Sequence, residues 1–445
     1  MPTFALTSLG CAKNLVNSEQ MLYLLREAGY TMVSDPDGAD FAVVNTCGFI
    51  DAAKSEAIDC ILEHARLKAE DRLGGIIVTG CLPERYQDEI LQELPEIDAV
   101  LGVGSFGEIV SAANAVLQKQ RYRSFLSNSA PVDEIPRIVS TGPGWAYLRI
   151  AEGCDNFCAF CAIPYIRGRY RSRDIEAVVD EATELAQHGV KELIVIAQDI
   201  TRYGTDLYGK RCLAELCRRL SKIPGIRWIR LHYLYPDQFD DELINEIACN
   251  DKIVKYLDIP IQHINNEILR RMNRHGTGDE IRTLFRILRE RIPGLVLRTS
   301  LITGLPGEGE AEFEELCDFL REAKIERAGV FPFSPEEGTP AEKMPHADAE
   351  TAAVRADTVL AIQGEFLDAF AESLVGRSLP VLIEQYDEES ACWIGRSYAD
   401  SPEIDSMVYV YGSCTPGDMP TVLVESAENG ILYGRIAESE GGTPC

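Results

Sequence analysis

The stretch Ala146-Tyr147-Leu148-Arg149-Ile150-Ala151-Glu152-Gly153-Cys154-Asp155-Asn156-Phe157-Cys158-Ala159-Phe160-Cys161 decides how this chain is read. An apolar strand candidate, Ala146–Ile150, runs directly into three cysteines spaced C-x3-C-x2-C. Three thiolates can hold three irons of a cubane cluster that needs four ligands. The fourth iron then stays open to a small molecule, as catalytic zinc sites keep one open position. The amino and carboxylate groups of S-adenosylmethionine suit that vacancy, and radical chemistry is among the reactions proteins delegate to this cofactor. Structural zinc is the bland alternative. It usually takes four ligands, often in two CxxC-like pairs, and no second pair lies nearby.

Working outward, further apolar strand candidates follow at Leu193–Ala197, Trp228–Leu231, Tyr256–Ile259, Leu295–Leu301 and Gly329–Phe333. Helical patterns such as Ile175–His188 and Glu280–Arg291 separate them. Six βα units over residues 145–374 predict a partial (β/α)6 barrel, with its chemistry at the C-terminal ends of the strands. Residues 1–125 alternate in the same way, with strand candidates Thr3–Leu9, Phe41–Asn45, Ile76–Thr79 and Ala99–Gly102, and predict a doubly wound parallel sheet. Residues 126–144 are rich in Ser, Pro and Gly and read as a linker. Residues 376–445 break into short β-rich runs between turns, the signature of a small antiparallel β-barrel. The fold class is therefore α/β, with a β-domain at the C-terminal side.

Composition narrows the function. Fourteen cysteines in 445 residues point to metal or redox chemistry rather than a disulfide framework. Cys60, Cys212, Cys217, Cys249 and Cys317 fall in helix-like stretches and read as buried small hydrophobes. No apolar run approaches the ~20 residues that span a bilayer, and no secretory signal opens the chain, so a cytoplasmic location is expected. A charge of −28, from 71 acidic and 43 basic residues, disfavours a broad grip on phosphates and favours a basic macromolecular partner.

Cys11, Cys47 and Cys81 each lie just beyond a strand candidate, 36 and 34 residues apart. The C-terminal edges of neighbouring parallel strands lie side by side, so these three thiols can converge in one crevice as a second, auxiliary cluster site. Arg167 and Arg169 belong to an alternating basic run after the first triad. They could clamp the methionine carboxylate or an acidic substrate group.

The cysteine loop resembles that of the radical S-adenosylmethionine superfamily, and Leu301-Ile302-Thr303-Gly304-Leu305-Pro306-Gly307-Glu308 is similar to its adenine-contact segment. The resemblance implies that Gly304 and Gly307 approach the cofactor. It implies that Gln198 or Asp199 takes the place of a glycine–glycine–glutamate turn that binds the methionine amino group. Gln262 would face the ribose or the substrate, whereas His263 reads as a structural hydrogen-bonding residue. With Gly10-Cys11-Ala12-Lys13-Asn14-Leu15-Val16-Asn17-Ser18-Glu19, Asn45-Thr46-Cys47 and Gly80-Cys81 added, essentially the whole chain resembles the methylthiotransferases.

That resemblance implies two 4Fe-4S clusters and two uses of S-adenosylmethionine. One molecule methylates a sulfur species on the auxiliary cluster, and a second is cleaved to a 5′-deoxyadenosyl radical that activates the substrate carbon. It also implies a low-potential electron donor and a sulfur donor. The family divides between tRNA adenosines and an aspartate of a small-subunit, decoding-centre ribosomal protein. Gly10–Glu19 looks like the protein-modifying branch, where tRNA enzymes tend to carry Gln-Met-Asn after the cysteine. Gly395-Arg396-Ser397-Tyr398-Ala399-Asp400-Ser401-Pro402-Glu403-Ile404-Asp405 resembles the same branch. Independently, residues 376–445 hold three arginines, no lysine and twelve acids, a charge of −9. That suits a basic ribosomal protein and not an RNA groove. Asp400, Glu403 and Asp405 are the expected substrate contacts, with nucleic acid not the main substrate, no membrane, and a monomer. The competing readings are the same chemistry on tRNA and a non-catalytic iron–sulfur carrier or sensor.

Overall fold

Strands whose residues are buried on both faces need helices above and below them, and the N-terminal sequence supplies both. In the computed structural model, which describes residues 1–437, six parallel strands line up as β2-β1-β3-β4-β5-β6. They are β1 (Thr3–Ser8), β2 (Thr31–Met32), β3 (Phe41–Thr46), β4 (Ile76–Gly80), β5 (Ala99–Leu101) and β6 (Tyr122–Ser124). The edge strands β2 and β6 were not expected; they are two and three residues long and carry no buried run. Helix α1 (Ala12–Glu27) packs Met21 and Leu25 on one face against Phe4, Phe41 and Val43. Helix α2 (Asp51–Ala69) packs Ala57 and Ile61 on the other face against Val44, Ile76 and Val78. The winding therefore reverses between neighbours β1 and β3. That is the switch point of a doubly wound sheet, where a crevice opens beyond the strand ends.

The second sheet is also all parallel, in the order β7 (Trp145–Arg149), β10 (Glu192–Ile196), β11 (Trp228–Leu231), β12 (Ile253–Asp258), β13 (Val296–Thr303) and β14 (Arg327–Pro332). Strands β7 and β14 are its free edges, so the barrel is partial, as expected. Period-2 alternation splits its residues: Leu148, Val195, Leu231, Leu257 and Leu297 face the helices, and Tyr147, Ile194, Trp228, Tyr256 and Val296 face inward. The helix expected from Glu280 begins at Gly278. Thr277 and Glu280 form a capping box that moves the start back one half-turn. A two-residue hairpin, β8 (Ala151–Glu152) with β9 (Arg171–Ser172), brackets the cysteine loop at the end of β7.

The C-terminal sheet runs β15 (Ser378–Pro380), β19 (Thr421–Glu428), β20 (Ile431–Ile436), β18 (Val408–Tyr411), β17 (Cys392–Arg396) and β16 (Leu382–Asp387). Its two edge strands are consecutive in the chain, so the sheet curls on itself. It is not wholly antiparallel: β18 and β20 pair in parallel, because the crossover from β18 to β19 leaves β20 between them. The remainder of the expected domain, 438–445, lies outside the described residues.

The loop 397–405 leaves this sheet and enters the barrel from the end opposite the cysteines. The fully buried Glu192 of β10 accepts Arg230 at 2.7 Å and pairs with Arg396 at 2.8 Å. Arg230 also donates to the Tyr398 carbonyl at 2.8 Å. Asp400 accepts from Arg327 at 2.8 Å, and Asp405 accepts from the Tyr256 hydroxyl at 2.6 Å. The barrel thus has a charged, hydrogen-bonded floor made by another part of the chain. At the opposite end, Glu336 beyond β14 accepts Lys54 (3.2 Å), Arg85 (3.1 Å) and the Asp51 amide (3.2 Å). These contacts latch the N-terminal sheet over the barrel mouth. Among the described residues no helix is long and apolar enough to cross a membrane.

Candidate active site

Both cysteine triads open onto one cavity of about 300 Å³. On the N-terminal side Cys11 caps α1, Cys47 follows β3, and Cys81 begins the short helix α3 (Cys81–Tyr86). Gly10 (φ +92°) must be glycine, since a Cβ there would lie 2.8 Å from the Cβ of Cys47. Gly80 (φ +100°) is equally constrained, by the Asn45 side-chain oxygen at 2.4 Å. Asn14 donates to the carbonyls of Leu9 (3.0 Å) and Thr46 (2.9 Å), and Asn45 donates back to the Asn14 carbonyl (2.8 Å). Side-chain amides thus fix the three turns against each other.

On the barrel side the amide of Cys154 donates to the Gly168 carbonyl (3.1 Å), and that of Cys161 to the Cys158 carbonyl (3.0 Å). Asn156, buried, donates to Asp199 at 3.0 Å. Asn273 donates to the carbonyl of Phe157 at 2.9 Å, holding that residue at φ +48°. Arg274, buried, points at Cys158 Sγ (3.6 Å) and stacks 4.2 Å over the Tyr235 ring.

Charge sets Cys11 apart from Cys81 and Cys154. Burial raises the thiols of Cys81, to about 11, and Cys154, to about 12. Burial also acts on Cys11, but Lys13, Arg167 and two backbone amides outweigh it and bring its pKa below the ordinary thiol value. Glu152 anchors Arg167. Burial would raise its carboxyl, yet Arg167 and Arg149 overcome that and pull it to about 2. Its ionised form therefore stabilises the fold fully above the unfolded value of about 4.3 and loses that contribution as pH falls toward 2. Urea midpoints of wild type and Glu152→Gln, followed from pH 6 to pH 2.5, should show the wild type falling more steeply below about pH 4.5. Parallel curves would contradict this.

The donor set fits two iron–sulfur clusters. Among the described residues no three His, Cys, Asp or Glu side chains gather as ligands of one ion. A cubane asks for something different, three thiolates each reaching a separate iron. Each triad has a buried guanidinium beside it to offset thiolate charge, Arg167 near Cys81 (3.6 Å) and Arg274 near Cys158. Arg167 Nε, Arg274 Nε and Asn156 Oδ1 are buried without partners.

The other expected site residues divide. Gln198, Gln262 (φ +69°) and Arg167 line the cavity. Arg167 is not a free clamp for the methionine carboxylate: it holds both Glu152 oxygens at 3.0 Å and touches Asn14 and Cys81, so it joins the barrel to the auxiliary triad. Arg169 is exposed outside the cavity, paired with Asp155 at 2.9 Å. Asp199 faces away from the cavity and braces Asn156 and Thr201. Gly304 and Gly307 have positive φ and meet protein: a Cβ would strike Ala352 at 2.6 Å and Arg271 at 2.5 Å. His263 is structural, as expected, accepting from the Asn265 amide and lying 3.4 Å from Glu308. Asp400 and Asp405 are spent on Arg327 and Tyr256 inside the barrel floor and are not surface contacts. Glu403 is exposed but accepts from Tyr147 at 3.2 Å. Cys249 is exposed and Cys60 half-buried, unlike the buried thiols expected there; Cys212, Cys217 and Cys317 are buried.

Lys13, Asn156, Arg274, Tyr233 and Tyr235 line the same cavity and were not anticipated. Lys13 and Asn156 stand beside motif cysteines, so proximity in sequence was an available signal. Arg274 sits 113 residues after Cys161 in an ordinary turn and offers none.

A parallel six-stranded barrel with a three-thiolate loop at its mouth, facing a second three-thiolate crevice, defines a radical S-adenosylmethionine enzyme with an auxiliary site. Family models agree along the chain: the uncharacterized family UPF0004 matches residues 3–102, the radical SAM superfamily residues 148–320, and the TRAM domain residues 375–437. The chain belongs to the ribosomal protein uS12 methylthiotransferase RimO family. It is 48% identical over 438 residues to the member from Caldanaerobacter subterraneus subsp. tengcongensis, covering 98% of this chain and 100% of that one. It is 45% identical over 441 residues to the member from Acetivibrio thermocellus, covering 96% and 97%. Among solved structures, the radical S-adenosylmethionine methyltransferase TsrM from Kitasatospora setae shares the fold (TM-score 0.56, 16% identity, 77% of this chain and 75% of that one).

Proposed function

We propose that this protein adds a methylthio group to the β-carbon of an aspartate of the small-subunit, decoding-centre ribosomal protein uS12. The observation that carries the proposal is the single cavity lined by all six motif cysteines. Cys154, Cys158 and Cys161 would hold one 4Fe-4S cluster, and Cys11, Cys47 and Cys81 the other. When bound, these clusters and S-adenosylmethionine supply the hydrogen-abstracting radical and the methylthio group.

The chain's own residues confine the reaction. Gln198 and Gln262 offer amide groups to the polar parts of the cofactor. Asp199 acts one step back, orienting Asn156. Phe49, Phe160, Tyr233, Tyr235 and Pro260 give apolar walls that exclude water and keep the reacting groups in line. The Glu336 latch holds the two halves of the cavity together, and the acidic β-domain favours approach of a basic protein. The reading places the enzyme in the cytoplasm as a monomer that draws on a low-potential electron donor and a sulfur donor.

Mass spectrometry of ribosomal proteins and of tRNA from a deletion strain tests it. Loss of a methylthio increment from uS12, restored by the wild-type gene, is the expected result. Loss from tRNA alone would replace the substrate, and absence of 5′-deoxyadenosine from the reduced, reconstituted enzyme would remove the radical chemistry.

A further inference from the structure

Three cations line the cavity, and two of them are already engaged. Arg167 spans Glu152, and Arg274 lies against Cys158 and the Pro260 carbonyl. Lys13 differs. Its side chain is only 2% exposed, yet among the described residues no carboxylate or hydrogen-bond acceptor meets its ammonium. Its Nζ lies over the Tyr233 ring, 3.1 Å from the ring centroid. Tyr233 presents that ring from a left-handed backbone (φ +63°), a costly conformation for an aromatic residue. A ring face orients an ammonium without neutralising it. The ammonium faces the cavity on the Cys11 side and has no carboxylate partner of its own, so the site can receive a further anion.

Position selects which anion. Lys13 lies two residues beyond Cys11 in the first turn of α1, on the auxiliary side of the cavity, and reaches across to the barrel at Tyr233. An aspartate carboxylate held there leaves its β-carbon, one bond away, between the two triads. A flexible, single-point cation suits a side chain arriving on a protein loop better than a fixed guanidinium fork does. A neutral base in the same place would leave the ammonium unpaired, so Lys13 also discriminates against nucleoside substrates.

We propose that Lys13 is the anchor of the substrate carboxylate and thereby a specificity-determining residue; this rests on the aspartate reading above. The test is equilibrium binding, without reductant and therefore without turnover. It uses the reconstituted holoenzyme with S-adenosylmethionine, and purified uS12 carrying either the target aspartate or asparagine in its place. Wild type should bind the aspartate form about tenfold or more tightly. Lys13→Met should bind both forms equally and weakly, and Lys13→Arg should recover part of the preference. Iron content and S-adenosylmethionine affinity are measured on every variant. The proposal is overturned if wild type shows no preference or if Lys13→Met keeps it. It is overturned equally if Lys13→Met loses iron or cofactor affinity while the aspartate preference stays intact. A failure of the aspartate reading itself shows separately, as wild-type holoenzyme that leaves uS12 unmodified under reducing conditions.

Discussion

Replacing Cys158 with alanine is expected to lower 5′-deoxyadenosine formation by at least about a thousandfold, roughly 4 kcal/mol of lost barrier reduction. Cys158 is the most enclosed thiol of its triad and the one that Arg274 and Tyr235 both address. Without it an iron loses its protein ligand and the buried guanidinium loses its anion. The same accounting distinguishes the two sites. Anaerobically purified protein should carry about eight irons, and a Cys11→Ala, Cys47→Ala, Cys81→Ala triple variant about four. An unchanged count in that variant would remove the auxiliary cluster from the scheme. So would a wild type that holds only about four.

The second large effect falls on stability. Arg167→Met should cost about 3–5 kcal/mol, because it strands the fully desolvated Glu152 carboxylate with Arg149 alone. Adding Glu152→Gln to Arg167→Met removes the stranded carboxylate but leaves Arg149 without its ion pair, so only part of that loss should return, and urea denaturation of the four proteins in the cycle measures the coupling. A loss below about 1 kcal/mol for Arg167→Met would mean that water or another cation reaches Glu152. Arg167 also touches Asn14 and Cys81, so the variant should lose iron from the auxiliary site before the barrel site.

The six cysteines and the strand alternation were legible because both are local. Each motif cysteine follows an apolar run, and a strand buried on both faces shows as such a run whatever it packs against. The sequence left Gln198 and Asp199 as alternatives, and strand parity accounts for which of them lines the cavity. Ile194 and Ile196 face the barrel interior, so period 2 carries Gln198 inward and Asp199 outward. The acids were not legible. Asp400 and Asp405 read as substrate contacts because their partners Arg327 and Tyr256 lie 73 and 149 residues earlier in the chain. Arg167 read as a mouth residue because its contact with Asn14 crosses 153 residues. Burial decided by long-range pairing leaves no trace in spacing. A charged side chain looks the same in sequence whether it ends in water or in an ion pair.

The barrel floor has a temporal consequence. Arg230 and Arg327 point into the barrel, and their contacts at Tyr398 and Asp400 come 168 and 73 residues later in the chain. A nascent chain that has emerged only through β14 has laid down all six barrel strands around cations still waiting for the groups that complete their coordination. The base of the barrel is therefore completed only once residues 398–400 have been made.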